Sequence, residues 1–282
     1  MNKNEFIKIL LDKNTSLLTL TNWLDKNFKD YTPKILTNGN KLELTKEIDN
    51  NLLNKNWDHT SNNYYKDKWD RGWSEISKKF TSTKNLKDLL PQYLKSKVLR
   101  ICNQYVQFNT VEIEHIIAEK LLTEIFKKFL EKTNHIYEFG CGTCRNIIIL
   151  DKLFRKNLVA LDWAKGVKQI VNIINEKSNN KVQFEEFNMI SPNLNLHVKP
   201  NSSALTVHAM EQIGGNNKKF IDFLISKQFE IVINIEPEDH FYIDNEFDKR
   251  AKIYHQKRGY LTKFYDYLIE LETRNIIDII YI

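Results

Sequence analysis

From Asn134 onward the chain alternates short apolar runs with amphipathic helical segments, and this alternation limits the fold more than any other feature. The runs are HIYEF, NLVALDW, VQFEEF, SALTVHA, FEIVINIEP and NIIDIIYI. Between them fall RNIIILDKLFRK, AKGVKQIVNIINEKS and NKKFIDFLISKQ. Strand and helix in turn at this spacing predict a mainly parallel sheet covered by helices on both faces. Right-handed crossovers make it a doubly wound, Rossmann-like α/β fold with its site at the carboxyl ends of the strands. Fold alone leaves the function open.

Residues 1–130 read differently, as a helical cap or lid before a second region spanning 131–282. EFIKILL, SLLTLTNWLDKNF and VEIEHIIAEKLLTEIFKKFLEK place apolar residues three and four apart, the helical period. Asp58 to Asn63 and Thr81 to Lys84 read as polar breaks, and Pro91 suits a helix start. No internal repeat is visible.

Composition removes several function classes. A hydrophobic content of 41% over 282 residues supplies a packed core, so disorder is excluded. The net charge of +6 is spread along the chain, with Lys and Arg alternating with Asp and Glu. A nucleic-acid partner, which calls for a concentrated basic face, is not expected. Cys102, Cys141 and Cys144 are too few for a secreted disulfide framework. Neither a signal peptide nor an apolar run of about 20 residues is present, so a cytoplasmic protein with no membrane partner is expected.

The stretch HIYEFGCGTCRNIII carries the chemistry, and three readings compete for it. A dinucleotide fingerprint G-x-G-x-x-G needs glycine at position 145, where this chain has Arg145. A dithiol site takes Cys141 and Cys144 as C-x-x-C at a helix start, which lowers a thiol pKa. That reading needs an exposed attacking sulfur. With no second C-x-x-C and no paired histidines at ligand spacing, no metal site is expected. The third reading is E-x-G-x-G-x-G, in which Glu138, Gly140 and Gly142 match and Cys144 replaces the last glycine. Cysteine is small enough for that place if its backbone stays out of the glycine-only region.

On these residues the chain resembles the class I S-adenosylmethionine-dependent methyltransferases, for which EFGCGT is a common spelling. The resemblance runs from Asn134 to about Glu236 and implies S-adenosylmethionine as cofactor. It implies backbone approach to the methionyl part at Gly140, Cys141 and Gly142, with Glu138 attracting the ammonium or else capping the turn. Asp162 at the next strand tip would accept the ribose hydroxyls, and Trp163 would lie against the adenine or simply pack. Asn188 and Met189 stand where the family usually reads the adenine amine with an acid. Helices before the first strand commonly cover the cofactor there. Tyr64, Trp69 and Trp73 therefore form a candidate lid, with Gly72 allowing close approach, although anchoring against the sheet is the competing role. Aromatic faces attract a sulfonium by roughly 0.5–2 kcal/mol.

The acceptor end falls on the later strand tips. His208 is the candidate general base for an oxygen acceptor, with Glu211 beside it and Gln212 at the mouth. Glu236 and His240 lie just past the next tip. Tyr254 and Arg258 share a helical stripe with Arg250, and His255 lies alongside. A solvated face is the alternative for that stripe, as a satisfied strand-end histidine is for His208. The expected acceptor is a small molecule, preferably a hydroxyl of a sugar or natural product, since no N/D-P-P-Y/F-like tip follows the SALTVHA strand. The family's sheet closes with an antiparallel hairpin of strands six and seven, whereas NIIDIIYI is the last apolar run here, so strand seven is expected to be absent or its place filled by another segment. An open edge there would invite a homodimer, and a concentration-independent monomer mass in light scattering would refute it. Two other functions stay open: a dithiol oxidoreductase, and a non-catalytic S-adenosylmethionine-binding protein.

Overall fold

The computed structural model describes residues 62–90, 96–101, 103–176, 178 and 181–282, together with positions 26, 31–36, 45, 46, 49, 50 and 53; for 62–66 it describes the backbone alone. The segments EFIKILL and SLLTLTNWLDKNF, most of the break at Asp58, Pro91, Cys102 and the side chain of Tyr64 lie outside the described residues.

In chain order the strands are β1 (Lys34–Ile35), β2 (Val98–Ile101), β3 (Gln104–Gln107), β4 (His135–Phe139), β5 (Asn157–Asp162), β6 (Gln183–Glu186), β7 (Ser202–Val207) and β8 (Ile231–Ile235). The helices are α1 (Asn62–Thr83), α2 (Glu112–Leu130), α3 (Arg145–Leu153), α4 (Lys165–Asn175), α5 (Lys218–Ser226), α6 (Glu246–Lys257) and α7 (Phe264–Thr273). Five strands form one sheet in the order β6-β5-β4-β7-β8, every neighbouring pair parallel. This is the doubly wound α/β arrangement that the alternation predicts.

Period-two burial divides the core. Ile136, Leu158, Ala160 and Leu205 pack under α1 to α4, whereas Tyr137, Phe139, Val159, Leu161 and Ala204 pack under α5 and α7. Each fully buried large side chain, such as Phe126, Phe139 or Phe220, contributes about 1.5–3 kcal/mol. The chain steps outward from β4 to β6, then returns to the centre as β7. The carboxyl ends of β4 and β7 therefore flank the topological switch point, where open α/β sheets bind ligands.

Helix α1 is seated on α4. Val167, Ile170, Val171 and Ile174 give α4 a buried stripe at helical spacing. Asp70 on α1 accepts from the Lys165 amide at 2.8 Å, capping α4 from another helix, and Ser77 donates to Gln169 at 2.8 Å. The glycine that permits this approach is Gly166, where a Cβ would lie 2.7 Å from Ser74 N and 2.8 Å from the Trp73 carbonyl carbon. Gly72, read from the sequence in that role, has open space around it. Gly166→Ala is expected to cost roughly 1–3 kcal/mol, as overpacking does, and to loosen Trp73. A lowered melting temperature together with red-shifted tryptophan emission checks this.

Two expectations need correction. The region before His135 is not purely helical, because β1, β3 and β2 form an antiparallel sheet, with Asn103 just before β3 at φ 65°. This sheet is tied to α6 through Asp248, which is fully buried and takes a 2.9 Å ion pair from Arg100 and a hydrogen bond from Tyr105. Burial pushes that carboxyl's pKa up, but these donors outweigh it and hold the group below its ordinary value. The second correction concerns NIIDIIYI, which is not a strand. It is held by Glu272 accepting from the Ile279 amide and by Tyr281 against Phe129, rather than by a ladder along β8. Without a partner, β-propensity alone does not make a strand. No helix among the described residues is long and apolar enough to cross a membrane.

Candidate functional site

The turn after β4 is built from left-handed residues. Gly140, Gly142 and Cys144 have φ of 68°, 51° and 59°. A Cβ on Gly140 would lie 2.5 Å from the Ala209 Cβ, so only glycine lets the β4 and β7 tips close at the switch point. On Gly142 a Cβ would meet the Trp73 indole at 3.1 Å. Cys144 departs from the expectation, since its backbone is left-handed (φ 59°, ψ 23°), a conformation that costs a non-glycine residue about 1–2 kcal/mol.

Asp162 locks this turn to the tip of β5. Its Oδ2 accepts from the Gly142 amide and its Oδ1 from the Ala164 amide, both at 2.9 Å. Burial pushes its pKa up to about 6, although the Ala164, Gly142 and Trp163 amides pull the other way. Each oxygen keeps a further lone pair for a ligand.

Above the turn lies a cavity of about 740 Å³, within the range that encloses small-molecule ligands. The β5 and β6 tips contribute Asp162, Trp163, Phe187 and Met189, and the turn after β7 contributes His208, Glu211 and Gln212. Helix α1 adds Trp69 and Trp73, stacked with centroids 5.1 Å apart, and α6 adds Tyr254 and Arg258. Gly140, Cys141 and Gly142 form the floor. Thirteen of the residues read from the sequence thus line a single cavity.

Five others do not reach its wall. Glu138 is buried behind the loop, with Oε1 accepting from Asn146 at 2.7 Å and Oε2 without a hydrogen-bond partner. Burial raises its pKa to about 8, and Asn146 stands between it and the cavity. The Asn188 carbonyl oxygen takes the Ile190 amide at 2.9 Å, while its neighbours Phe187 and Met189 face the cavity. The Glu236 oxygens are bound by the Ala209 and Glu211 amides. His240 lies outside beside Asp266 at 3.3 Å and Tyr265. His255 is buried, with Nε2 2.6 Å from the Leu261 carbonyl that it donates to. Apart from Glu138 Oε2, each of these polar groups has been taken by nearby chain, which a sequence does not display.

The sequence reading missed the wall supplied by α2, where Glu114, Leu121, Leu122 and Ile125 close the cavity, and also Lys68, Phe187 and Tyr260. For α2 the apolar stripe signalled burial, without saying against what. Phe187 is out of phase with Val182 and Phe184, so the alternation along β6 gave no sign of it.

His208 ends β7 at φ 53°, and its Nδ1 lies 3.6 Å from Glu211 Oε2. Burial alone would lower the imidazole pKa, but the Glu211, Glu236 and Glu114 carboxylates overcome it and the net shift is upward. Arg258 donates from Nε and Nη2 to the Tyr260 hydroxyl, both at 3.3 Å. Arg145 also lines the cavity and is held by α2, giving hydrogen bonds to the His115 carbonyl at 2.9 Å and Glu119 at 3.4 Å.

Cys141 and Cys144 are both buried free thiols with sulfurs 3.9 Å apart. Burial, foremost, pushes the Cys141 thiol pKa up, opposite to what a nucleophilic thiolate requires. In a Cys102→Ser background, a disulfide reagent is expected to leave both unmodified until denaturant is added. Fast labelling of the native protein would restore the dithiol reading. No group of three or more His, Cys, Asp or Glu among the described residues could hold a metal ion.

No family model matches this sequence, and no curated protein matches it. Among solved structures the chain is similar to the plantazolicin methyltransferase BpumL in complex with SAH (TM-score 0.41, 12% identity, 75% of this chain and 79% of that one). It is also similar to the plantazolicin methyltransferase BamL with a triazolic desmethylPZN analog and SAH (0.40, 14%, 74% and 74%). A third is the geranyl diphosphate C-methyltransferase from Streptomyces coelicolor A3(2) with Mg2+, geranyl diphosphate and S-adenosyl-L-homocysteine (0.41, 11%, 58% and 64%). At such identities and TM-scores the likeness carries no weight about chemistry, which rests on the side chains around the cavity.

Proposed function

We propose that this chain is an S-adenosylmethionine-dependent methyltransferase acting on a small-molecule acceptor, preferably a hydroxyl of a sugar or natural product. One observation carries the reading. At the switch point a glycine turn with no room for a Cβ is clasped by a buried carboxylate, Asp162, beneath a mostly apolar cavity.

The residues fit this cofactor. Gly140 and Gly142 leave backbone open to a methionyl tail, and Asp162 has lone pairs for two ribose hydroxyls. Trp163, Phe187 and Met189 offer a flat apolar bed for adenine. Glu138 acts one layer back, by orienting Asn146, which lines the cavity. When bound, the cofactor supplies a methyl group made electrophilic by the adjoining sulfonium. The protein's own part is to orient the acceptor and take its proton. Glu211 engages His208 Nδ1, which directs Nε2 to an acceptor hydroxyl, and the neutral imidazole receives the proton there. Gln212, Tyr254 and Arg258 are the candidate contacts for the rest of the acceptor.

Calorimetric titration with S-adenosylhomocysteine is the first test. Saturable binding is expected, with none for NAD or FAD; absence of heat and of a thermal shift at saturating ligand would end the proposal. A panel of sugar and natural-product hydroxyls with labelled S-adenosylmethionine then distinguishes an enzyme from a protein that only holds the cofactor.

A further inference from the structure

We propose that Glu236 is a positioning residue of this site: from the tip of β8 its two carboxylate oxygens clasp the turn after β7 and hold His208 and Glu211 together as a pair on the cavity wall. The inference rests on the reading of His208 as proton acceptor.

Glu236 Oε1 accepts from the Ala209 amide at 3.1 Å and Oε2 from the Glu211 amide at 3.2 Å. The His208 amide donates to the Ile235 carbonyl at 3.0 Å. The end of β8 is thus stitched to the β7 turn at residues 208, 209 and 211. This turn needs outside support, because His208 is left-handed and Ala209 is pressed against Gly140. A histidine in that conformation persists only where its surroundings over-determine it. Here the over-determining group is a carboxylate from a neighbouring strand, which satisfies two amides that face no other strand. Glu236 does not line the cavity, so it touches no acceptor and acts through what it holds.

The charged groups facing the imidazole are Glu211 on the same turn, Glu236 beneath it and Glu114 on α2, whose Oε2 also accepts from the Ser96 amide at 2.7 Å. Burial, and then the nearby Glu211 charge, push the Glu236 carboxyl up to about 7. Ionised, it presents two full acceptors to the turn; protonated, it spends one oxygen on its own proton and the clasp weakens.

The test uses the whole chain and needs no acceptor. In the wild-type protein the amide protons of Ala209 and Glu211 are expected to move together in an NMR pH titration, with one midpoint near 7. Separate midpoints, or no movement, would overturn the clasp. A double-mutant cycle then reads the positioning role through the His208 ring titration, assigned with His208→Asn. Glu236→Gln is expected to lower the His208 midpoint, and to lower it less than half as much in a Glu211→Gln background, because its influence passes through the pair. Equal displacements in both backgrounds would mean that Glu236 is only a nearby charge, and the proposal would fall. Should Glu236→Gln not fold, the wild-type amide titration decides alone. S-adenosylhomocysteine calorimetry on the same samples keeps this result separate from the cofactor reading: binding within about two-fold of wild type is expected for Glu236→Gln.

Discussion

Replacing Asp162 by Ala is expected to weaken S-adenosylhomocysteine binding roughly 100-fold. Hydrogen bonds to a charged group contribute about 1.5–3 kcal/mol each, and two ribose hydroxyls would lose theirs; every 1.4 kcal/mol is tenfold in affinity. The variant also leaves the Gly142 and Ala164 amides without their 2.9 Å acceptors, so the floor of the cavity loosens. Asp162→Asn keeps one acceptor oxygen and should fall between. A dependence on pH follows. Burial raises the Asp162 pKa to about 6, above its ordinary value, so the ionised form that accepts two hydroxyls is lost on acidification through that point. Affinity should be flat well above pH 6 and decline below it, and this decline should vanish in Asp162→Ala. Calorimetry across pH measures both. Undiminished binding by the Ala variant would remove the cofactor from this cavity.

Replacing His208 by Ala should lower kcat by about 10²–10⁴-fold, the usual contribution of a positioned general base, while leaving S-adenosylhomocysteine affinity within about two-fold. The imidazole accepts a proton only when neutral. Burial would lower its pKa, yet Glu211, Glu236 and Glu114 carry it above its ordinary value. The rate with an oxygen acceptor should therefore rise with pH through a midpoint above that of an unperturbed histidine. Glu211→Gln, which removes the 3.6 Å partner, should move the midpoint down. A pH–rate profile that is unchanged in His208→Ala would assign the proton to another group, or to none.

The parts of the site that the sequence disclosed are those fixed by position along a strand. Gly140, Asp162 and His208 stand at or just past the ends of apolar runs, and a strand end in a doubly wound sheet is bound to face the ligand side. The same rule overreached at Asn188 and Glu236. Both follow strand tips, but the backbone amides of Ile190, Ala209 and Glu211 claim their oxygens. For His255 the stripe with Tyr254 and Arg258 suggested a shared face, yet one residue's rotation carried it into the interior and onto Leu261. The β2–β3 hairpin was present as VLRI and QYVQ around an Asn turn, and the helical patterns on either side obscured it.

The chain's own order of residues determined the sheet, its strand tips and the glycine turn, since each depends on local period, on missing side chains or on a strand's length. Which polar groups are left over for a ligand, and which helices roof the cavity, only the tertiary structure decided. Those outcomes rest on contacts between distant segments: Asp70 capping α4, Gly166 admitting α1 and Trp73, Glu114 reaching in from α2, and Glu236 bound to a turn on the neighbouring strand. The physical reason is that a buried donor or acceptor must be satisfied by whatever the fold brings near it, and neighbours of that kind have no signature along the chain.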